Sequence, residues 1–176
     1  MFRAKKSKPI VLKVITCGEG GVGKTTLLHR YIEGIFLADT RLTIGVEFFL
    51  KEIQIDEEKI LLQIWDFGGQ EHFRSLLSNY ATGARGALLL FDLTRPSSLN
   101  QIDQWVNICR QNNPDIPIIF LGAKLDLIDG ITIDDEFAIK FIEEYNFFNY
   151  LKISSKTGEN VNLAFELLAK ELIKDL

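Results

Sequence analysis

The sequence predicts an α/β fold: a six-stranded, mostly parallel sheet with one antiparallel edge strand, flanked by about five helices. Three observations predict it. Apolar runs of strand length at 10–17, 87–91, 118–122 and 150–153 are continuous rather than alternating, as strands buried on both faces must be. Helix-like segments separate these runs, which is the alternation that builds parallel sheets. A glycine-rich stretch joins the first run to the first helix-like segment, where the chain must turn sharply.

The run 10–17 is the first strand, and the segment 24–32 opens a helix directly after the glycines. Segments 48–55 and 60–65, separated by the acidic Asp56-Glu57-Glu58, read as a hairpin that supplies the antiparallel edge. Ser97 and Ser98 precede a helix running to about Arg110, Asp134 and Asp135 precede one running to about Tyr145, and Asn160 precedes the last. In that last helix Val161, Ala164, Phe165, Leu168 and Leu172 recur at helical spacing, a stripe that faces a core. There is no repeat, low-complexity segment or interior linker. The expected division is a flexible basic arm over 1–9 and one domain over 10–176.

The chemistry begins at Gly18-Glu19-Gly20-Gly21-Val22-Gly23-Lys24-Thr25, a full G-x-x-x-x-G-K-[ST] phosphate-binding loop (P-loop) between strand and helix. Such a loop turns backbone N–H groups onto the α- and β-phosphates, while Lys24 reaches the β/γ oxygens and the Thr25 hydroxyl is a ligand for Mg²⁺. The helix that follows adds the positive end of its dipole. Glu19, Gly20, Gly21, Val22, Gly23, Lys24, Thr25 and Thr26 are therefore expected to contact a nucleotide. Downstream, an apolar strand ends in Asp66, followed by Phe67-Gly68-Gly69-Gln70. An Asp there holds a Mg²⁺-bound water, Gly69 lets a backbone N–H approach the γ-phosphate, and Gln70 is placed to orient an attacking water.

With these elements in place the chain resembles the Ras superfamily of small GTPases, most closely its Rab branch, from about Val11 to about Ile173. The resemblance implies a guanine-nucleotide switch on a P-loop G domain that binds GTP or GDP with Mg²⁺. Thr43-Ile44-Gly45-Val46-Glu47-Phe48 resembles switch I, with Thr43 reaching Mg²⁺ and the γ-phosphate and Phe36 packing on the guanine ring. Phe48, Trp65 and Tyr80 match an aromatic triad that links the two switches. Leu121-Gly122-Ala123-Lys124-Leu125-Asp126 resembles the base-recognition motif, and Ser154-Ser155-Lys156 resembles its Ser-Ala-Lys partner. A carboxylate at Asp126 accepts from both the ring N–H and the exocyclic amino group of guanine, a donor pair that adenine lacks on that edge. Lys124 and Lys156 lay their stems along the base, and the Ser155 N–H donates to the guanine carbonyl. The implied metal ligands are Thr25, Thr43 and, through a water, Asp66; the implied catalytic groups are Gln70, Lys24 and Thr43.

Three departures from the family pattern stand out. Ala123 stands where an Asn or Thr side chain contacts the base and ties its loop to the phosphate loop, which predicts reduced affinity. Phe67-Gly68 replaces the usual Thr-Ala and is more like the Asp-x-Gly-Gly-Gln of Arf and Roco GTPases. The sequence closes on Lys174-Asp175-Leu176 without the terminal cysteines of prenylated Rabs, so no lipid anchor is expected.

Composition fits one domain: 176 residues, 47% hydrophobic, enough to bury most of the unfolded surface in a core. A net charge of −4 gives no field to recruit nucleic acid. Cys17 and Cys109 have no metal or disulfide-framework spacing, are expected to be buried packing residues, and fit a reducing, cytoplasmic compartment. The expected partners are guanine nucleotide and, through switches 36–48 and 67–80, effector, exchange-factor and GTPase-activating proteins. The expected state is a monomer, with at most weak, salt-sensitive contact between Arg3, Lys5, Lys6 and Lys8 and an anionic membrane. Two other readings stay open: a constitutively nucleotide-loaded interaction module with vestigial hydrolysis, and a P-loop kinase of a small metabolite.

Overall fold

A computed structural model describes residues 8–39, 41–174 and 176. The expected arm therefore lies mostly outside the described residues, Arg3, Lys5 and Lys6 included, as does Thr40 of the first switch; Lys8 and Pro9 are exposed. Among the described residues six strands form one sheet: β1 (Ile10–Cys17), β2 (Val46–Ile55), β3 (Glu58–Phe67), β4 (Gly86–Asp92), β5 (Ile118–Ala123) and β6 (Asn149–Lys152). Their spatial order is β2-β3-β1-β4-β5-β6. All neighbours pair in parallel except β2 with β3, so β2 is the antiparallel edge. The hairpin turn is tighter than the acidic triplet suggests. Asp56 takes the left-handed conformation, φ 52°, and Glu58 already belongs to β3.

Helices α1 (Lys24–Glu33), α2 (Arg74–Tyr80), α3 (Ile102–Arg110), α4 (Asp135–Tyr145) and α5 (Val161–Ile173) cover both faces. Side chains alternate across each strand, and the core is accordingly split in two by the sheet. On one side Ile15, Leu89, Phe91 and Phe120 pack with Leu77 of α2, Trp105 of α3 and Ala138 of α4. On the other Val14, Leu62, Leu88 and Leu121 pack with Leu27 of α1 and with the α5 stripe of Val161, Ala164, Phe165, Leu168 and Leu172. Tyr31 stacks on Phe165 at 3.7 Å between ring centres and joins α1 to α5.

Local chemistry sets the helix ends. Asp134 caps α4, its Oδ1 accepting from the Phe137 N–H at 2.8 Å. Ser97 and Ser98 instead lie in a short 3₁₀ turn, Pro96–Leu99, and α3 starts only at Ile102. Asn160 sits left-handed at φ 58° before α5 and donates its side-chain amide to the Lys152 carbonyl, closing the loop after β6 rather than capping the helix. Cys17 on β1 and Cys109 on α3 are buried as expected, with their sulfurs 3.5 Å apart. Among the described residues no helix is long and apolar enough to cross a membrane.

Parallel pairing decides where chemistry can gather. With β1, β3, β4, β5 and β6 all running one way, the loops after Cys17, Phe67, Asp92, Ala123 and Lys152 leave the same edge of the sheet. The order reverses at β1, between β3 and β4, which opens a crevice at the carboxyl ends.

Candidate functional site

The loop after β1 occupies that crevice. Lys24 is buried; its ammonium donates to the carbonyls of Gly18 at 2.7 Å and Glu19 at 2.8 Å, folding the loop around itself. Burial lowers its pKa to about 8, against the opposing pull of Asp66. α1 begins at Lys24 with no side-chain cap, so its first-turn N–H groups are open toward the loop.

Register brings the metal-ligand candidates together. Thr16 lies opposite Asp66 across β1 and β3, and its hydroxyl donates to Asp66 Oδ1 at 2.8 Å. Thr25 donates to Asp66 Oδ2 at 2.5 Å and lies 2.6 Å from the Thr43 hydroxyl. Burial raises the Asp66 pKa, while the hydrogen bonds from Thr25 and Thr16 and the Lys24 charge oppose it. Two hydroxyls and a carboxylate make a hard, all-oxygen set, the kind Mg²⁺ takes when phosphates supply further ligands. Among the described residues no group of three or more His, Cys, Asp or Glu is placed to hold a metal ion.

Close backbone approach holds the second switch against the first and against the loop. Gly68 donates its N–H to the Gly45 carbonyl at 2.8 Å, and a Cβ on Gly68 would lie 2.5 Å from the Thr43 carbonyl oxygen. A Cβ on Gly69 would lie 2.2 Å from the Gly20 nitrogen. No side chain fits at either position. Phe67, the other departure in this segment, is fully buried and anchors the end of β3 in the core, while Gln70 is the first residue to emerge. Gln70 and Gly69 line one cleft with Lys24, Thr25, Thr26 and Thr43; Gly20, Gly21, Gly23, Arg41 and Leu42 complete its wall.

A neighbouring cleft shares Gly21, Gly23 and Thr26 with the first and is walled by Phe36, Ala123, Lys124, Asp126, Ser155 and Lys156. Asp126 is oriented by the Ser154 hydroxyl, which donates to Oδ1 at 2.7 Å while accepting from the Thr157 N–H at 3.1 Å. Leu125 donates its N–H to the Ile153 carbonyl, locking the two loops to each other. Arg30 of α1 donates to the carbonyls of Lys156 and Thr157.

Val22 lines the second cleft although it is fully buried and packs in the core. Of the residues expected to contact nucleotide, Ser154 and Glu19 line neither cleft. Ser154 is also buried and acts through Asp126. The Glu19 carboxylate turns to Arg74, 2.8 Å from Nη2. Arg74 is itself engaged through both terminal nitrogens: it also donates to the Gly69 carbonyl and to the side chains of Gln101 and Gln104, and it lies over the Trp105 ring, while its buried Nε has no partner. The three matched aromatics do form a chain, Phe48 edge-on to Trp65 at 5.3 Å and Trp65 against Tyr80 at 6.0 Å.

Sequence reasoning missed Asp92 and Arg95. Asp92 ends β4 with its side chain 3% exposed, and its Oδ2 lies 2.7 Å from Lys124 Nζ. Burial alone would raise its pKa, but hydrogen bonds from Lys124 and Thr94 outweigh that and hold the carboxyl below its ordinary value. Arg95 donates to the Gly20 carbonyl at 2.7 Å. The available signal was an Asp at the carboxyl end of a continuous apolar strand, the same signal that marked Asp66.

Comparison with known proteins agrees with this geometry. A family model described as Ras family matches residues 13–174. Ras-related protein Rab-26 of Bos taurus and that of Homo sapiens are each 39% identical to the chain over 165 residues, covering 93% of it and 64% of the relative. Rab-26 of Mus musculus is equally similar, with 63% of its length covered. The chain thus spans a little under two thirds of the curated relatives it matches.

Proposed function

The chain belongs to the Ras family, and from that premise we propose that it is a Rab-like molecular switch that binds GTP and GDP and slowly hydrolyses GTP to GDP and phosphate. The observation that carries the reading is the meeting of Thr25, Thr43 and Asp66 within hydrogen-bond distance beside the Lys24 loop. These come from the phosphate loop, the first switch and the end of β3 just before the second switch, so one ligand at this point meets all three.

In this reading the phosphates lie in the cleft of Lys24 and Gln70, and the base lies in the neighbouring cleft. Asp126 accepts the two guanine donors, with Ser154 fixing its orientation, while Phe36, Lys124 and Lys156 flank the ring. Ser155 offers its N–H to the guanine carbonyl. Glu19, Gly20, Gly21, Val22, Gly23 and Thr26 contribute through the backbone of the loop and the first turn of α1. Thr25 and Thr43, with Asp66 acting through a water, would hold Mg²⁺, which would supply positive charge to offset the charge of the phosphates.

Gln70 orients a water for attack on the γ-phosphorus, and the bond to the β–γ bridging oxygen breaks as the new P–O bond forms. Lys24 and the loop amides stabilise the charge that develops. Intrinsic turnover is slow, because Arg74 is committed to Glu19, Gly69, Gln101 and Gln104, and Arg41 lies exposed at the rim. An absent arginine finger costs roughly 10³–10⁵ in rate. Effectors and regulators are expected on switches 36–48 and 67–80, where Leu42, Ile44, Phe48, Leu76 and Tyr80 are exposed. The similarity to Rab-26 supports a role in intracellular trafficking or signalling, and the same reading takes the protein as a monomer with peripheral membrane contact at most.

The interaction-module reading is separated by nucleotide content and turnover. Chromatography of nucleotide released from the purified protein is expected to show GDP, and single-turnover assays are expected to show slow loss of bound GTP. Retained GTP that never decays would instead favour the module, and a requirement for a metabolite acceptor would favour the kinase.

A further inference from the structure

Ala123 offers the base loop only a methyl group, yet that loop is not without a polar link to the phosphate loop. Lys124 Nζ lies 2.7 Å from Asp92 Oδ2, Arg95 Nε lies 3.9 Å from the same oxygen, and Arg95 Nη2 donates to the Gly20 carbonyl at 2.7 Å. We propose that Asp92 and Arg95 are positioning residues that couple the base loop at Lys124 to the phosphate loop at Gly20, supplying the tie that position 123 cannot. This rests on the reading of the two clefts as one guanine-nucleotide site.

The bridge is built and held. Asp92 uses its second oxygen, Oδ1, for the N–H and hydroxyl of Thr94, at 2.9 and 2.6 Å, which leaves Oδ2 aimed at the two cations. Arg95 is fixed at its backbone by a compact turn: its N–H donates to the Asp92 carbonyl, and its own carbonyl accepts the Ser98 hydroxyl at 2.7 Å. Ser98 is buried and also accepts the Asp92 N–H at 3.0 Å. The guanidinium therefore reaches Gly20 from a braced base. Ala123 joins the same assembly through its backbone, its carbonyl accepting from Leu93 N–H at 3.1 Å, so a change in the turn is felt at the base loop directly.

Lys124 takes the left-handed conformation, φ 67°, which a non-glycine residue holds only when its surroundings fix it. Its salt bridge to Asp92 is one such restraint. Breaking the bridge at Arg95 leaves Asp92 and Lys124 paired but uncouples both from Gly20. The consequence falls on how long nucleotide stays bound, because base and phosphates are gripped by loops that no longer move together.

A mutant cycle on the full chain tests this, with release of fluorescently labelled GDP chased by excess unlabelled GDP. Arg95 is 42% exposed, so its charge-assisted bond is partly screened, and Arg95→Ala is expected to speed release by about three- to tenfold. In an Ala123→Asn background the same change is expected to speed release by less than about twofold, since a restored side chain carries the tie. Ala123→Thr serves as a second background should Asn not fit the buried position, and thermal melting of each variant separates loosened binding from loss of the fold. Unchanged release in Arg95→Ala, or equal acceleration in both backgrounds, overturns the bridge while leaving the guanine site standing. Failure of the unaltered chain to bind GDP at all overturns the site and the bridge with it.

Discussion

Asp126→Asn is expected to lower affinity for GDP by about 10²- to 10⁴-fold. The carboxylate is a double acceptor, and guanine presents two donors to it; an amide accepts through only one atom and sets an N–H₂ against the other donor. Two charge-assisted hydrogen bonds at roughly 1.5–3 kcal/mol each give that range. The geometry supports a preorganised acceptor, because the Ser154 hydroxyl already holds Oδ1 at 2.7 Å and is itself fixed by the Thr157 N–H. Fluorescence titration with labelled GDP measures the loss, and a parallel titration with labelled ADP measures discrimination. Unaltered GDP affinity would remove Asp126 from base recognition.

Gln70→Leu is expected to slow single-turnover hydrolysis by about 10²-fold, the usual cost of misplacing a reactant in a positioned reaction. GTP binding should be nearly unchanged. Gln70 follows Gly69, which lies against Gly20, and opens onto the cleft of Lys24, Thr25 and Thr43. Among the described residues its side chain makes no hydrogen bond that the substitution would break. The effect therefore belongs to rate and not to affinity. Equal rates for the two proteins would take Gln70 out of the mechanism and strengthen the interaction-module reading.

What could be read from the sequence was whatever is encoded locally. The phosphate loop and the Asp66 segment each announce themselves within a dozen residues or fewer, since a backbone cradle needs glycines, a Lys and a Thr at fixed spacing. β4 and β5 were legible because both of their faces are covered, leaving no polar alternation to confuse the pattern. α2 was not marked by periodicity. It has seven residues, and of them Arg74 and Leu77 are buried, which is too little for a helical stripe. The start of α3 was misplaced because Ser97 and Ser98 resemble caps, whereas Ser98 serves the Asp92–Arg95 turn instead.

The bridge from Lys124 through Asp92 and Arg95 to Gly20 was illegible for a different reason. Its members lie at the carboxyl end of β4 and on the loops after β1, β4 and β5, which come together only because these strands are parallel neighbours. The same holds for Cys17 and Cys109, which touch across a strand and a helix with no spacing to announce it. Arg74 lies close in sequence to the second switch, and sequence alone gives it no defined partner. Four hydrogen-bond partners and the Trp105 ring turn it into a clasp between the second switch, the phosphate loop and α3.

The central claim is that the two switches answer to the γ-phosphate. Gly68 ties the second switch to Gly45 of the first, Gly69 lies against Gly20, and Thr43 meets Thr25 and lies one hydroxyl away from Asp66, so in the proposed reading a ligand at that junction reorders both segments. Hydrogen exchange of the protein loaded with GDP, and again with a non-hydrolysable GTP analogue, reads this directly. Slower exchange over 41–48 and 67–80 in the GTP-analogue form is the predicted result, with the α5 core unchanged. Identical exchange in the two forms would contradict it.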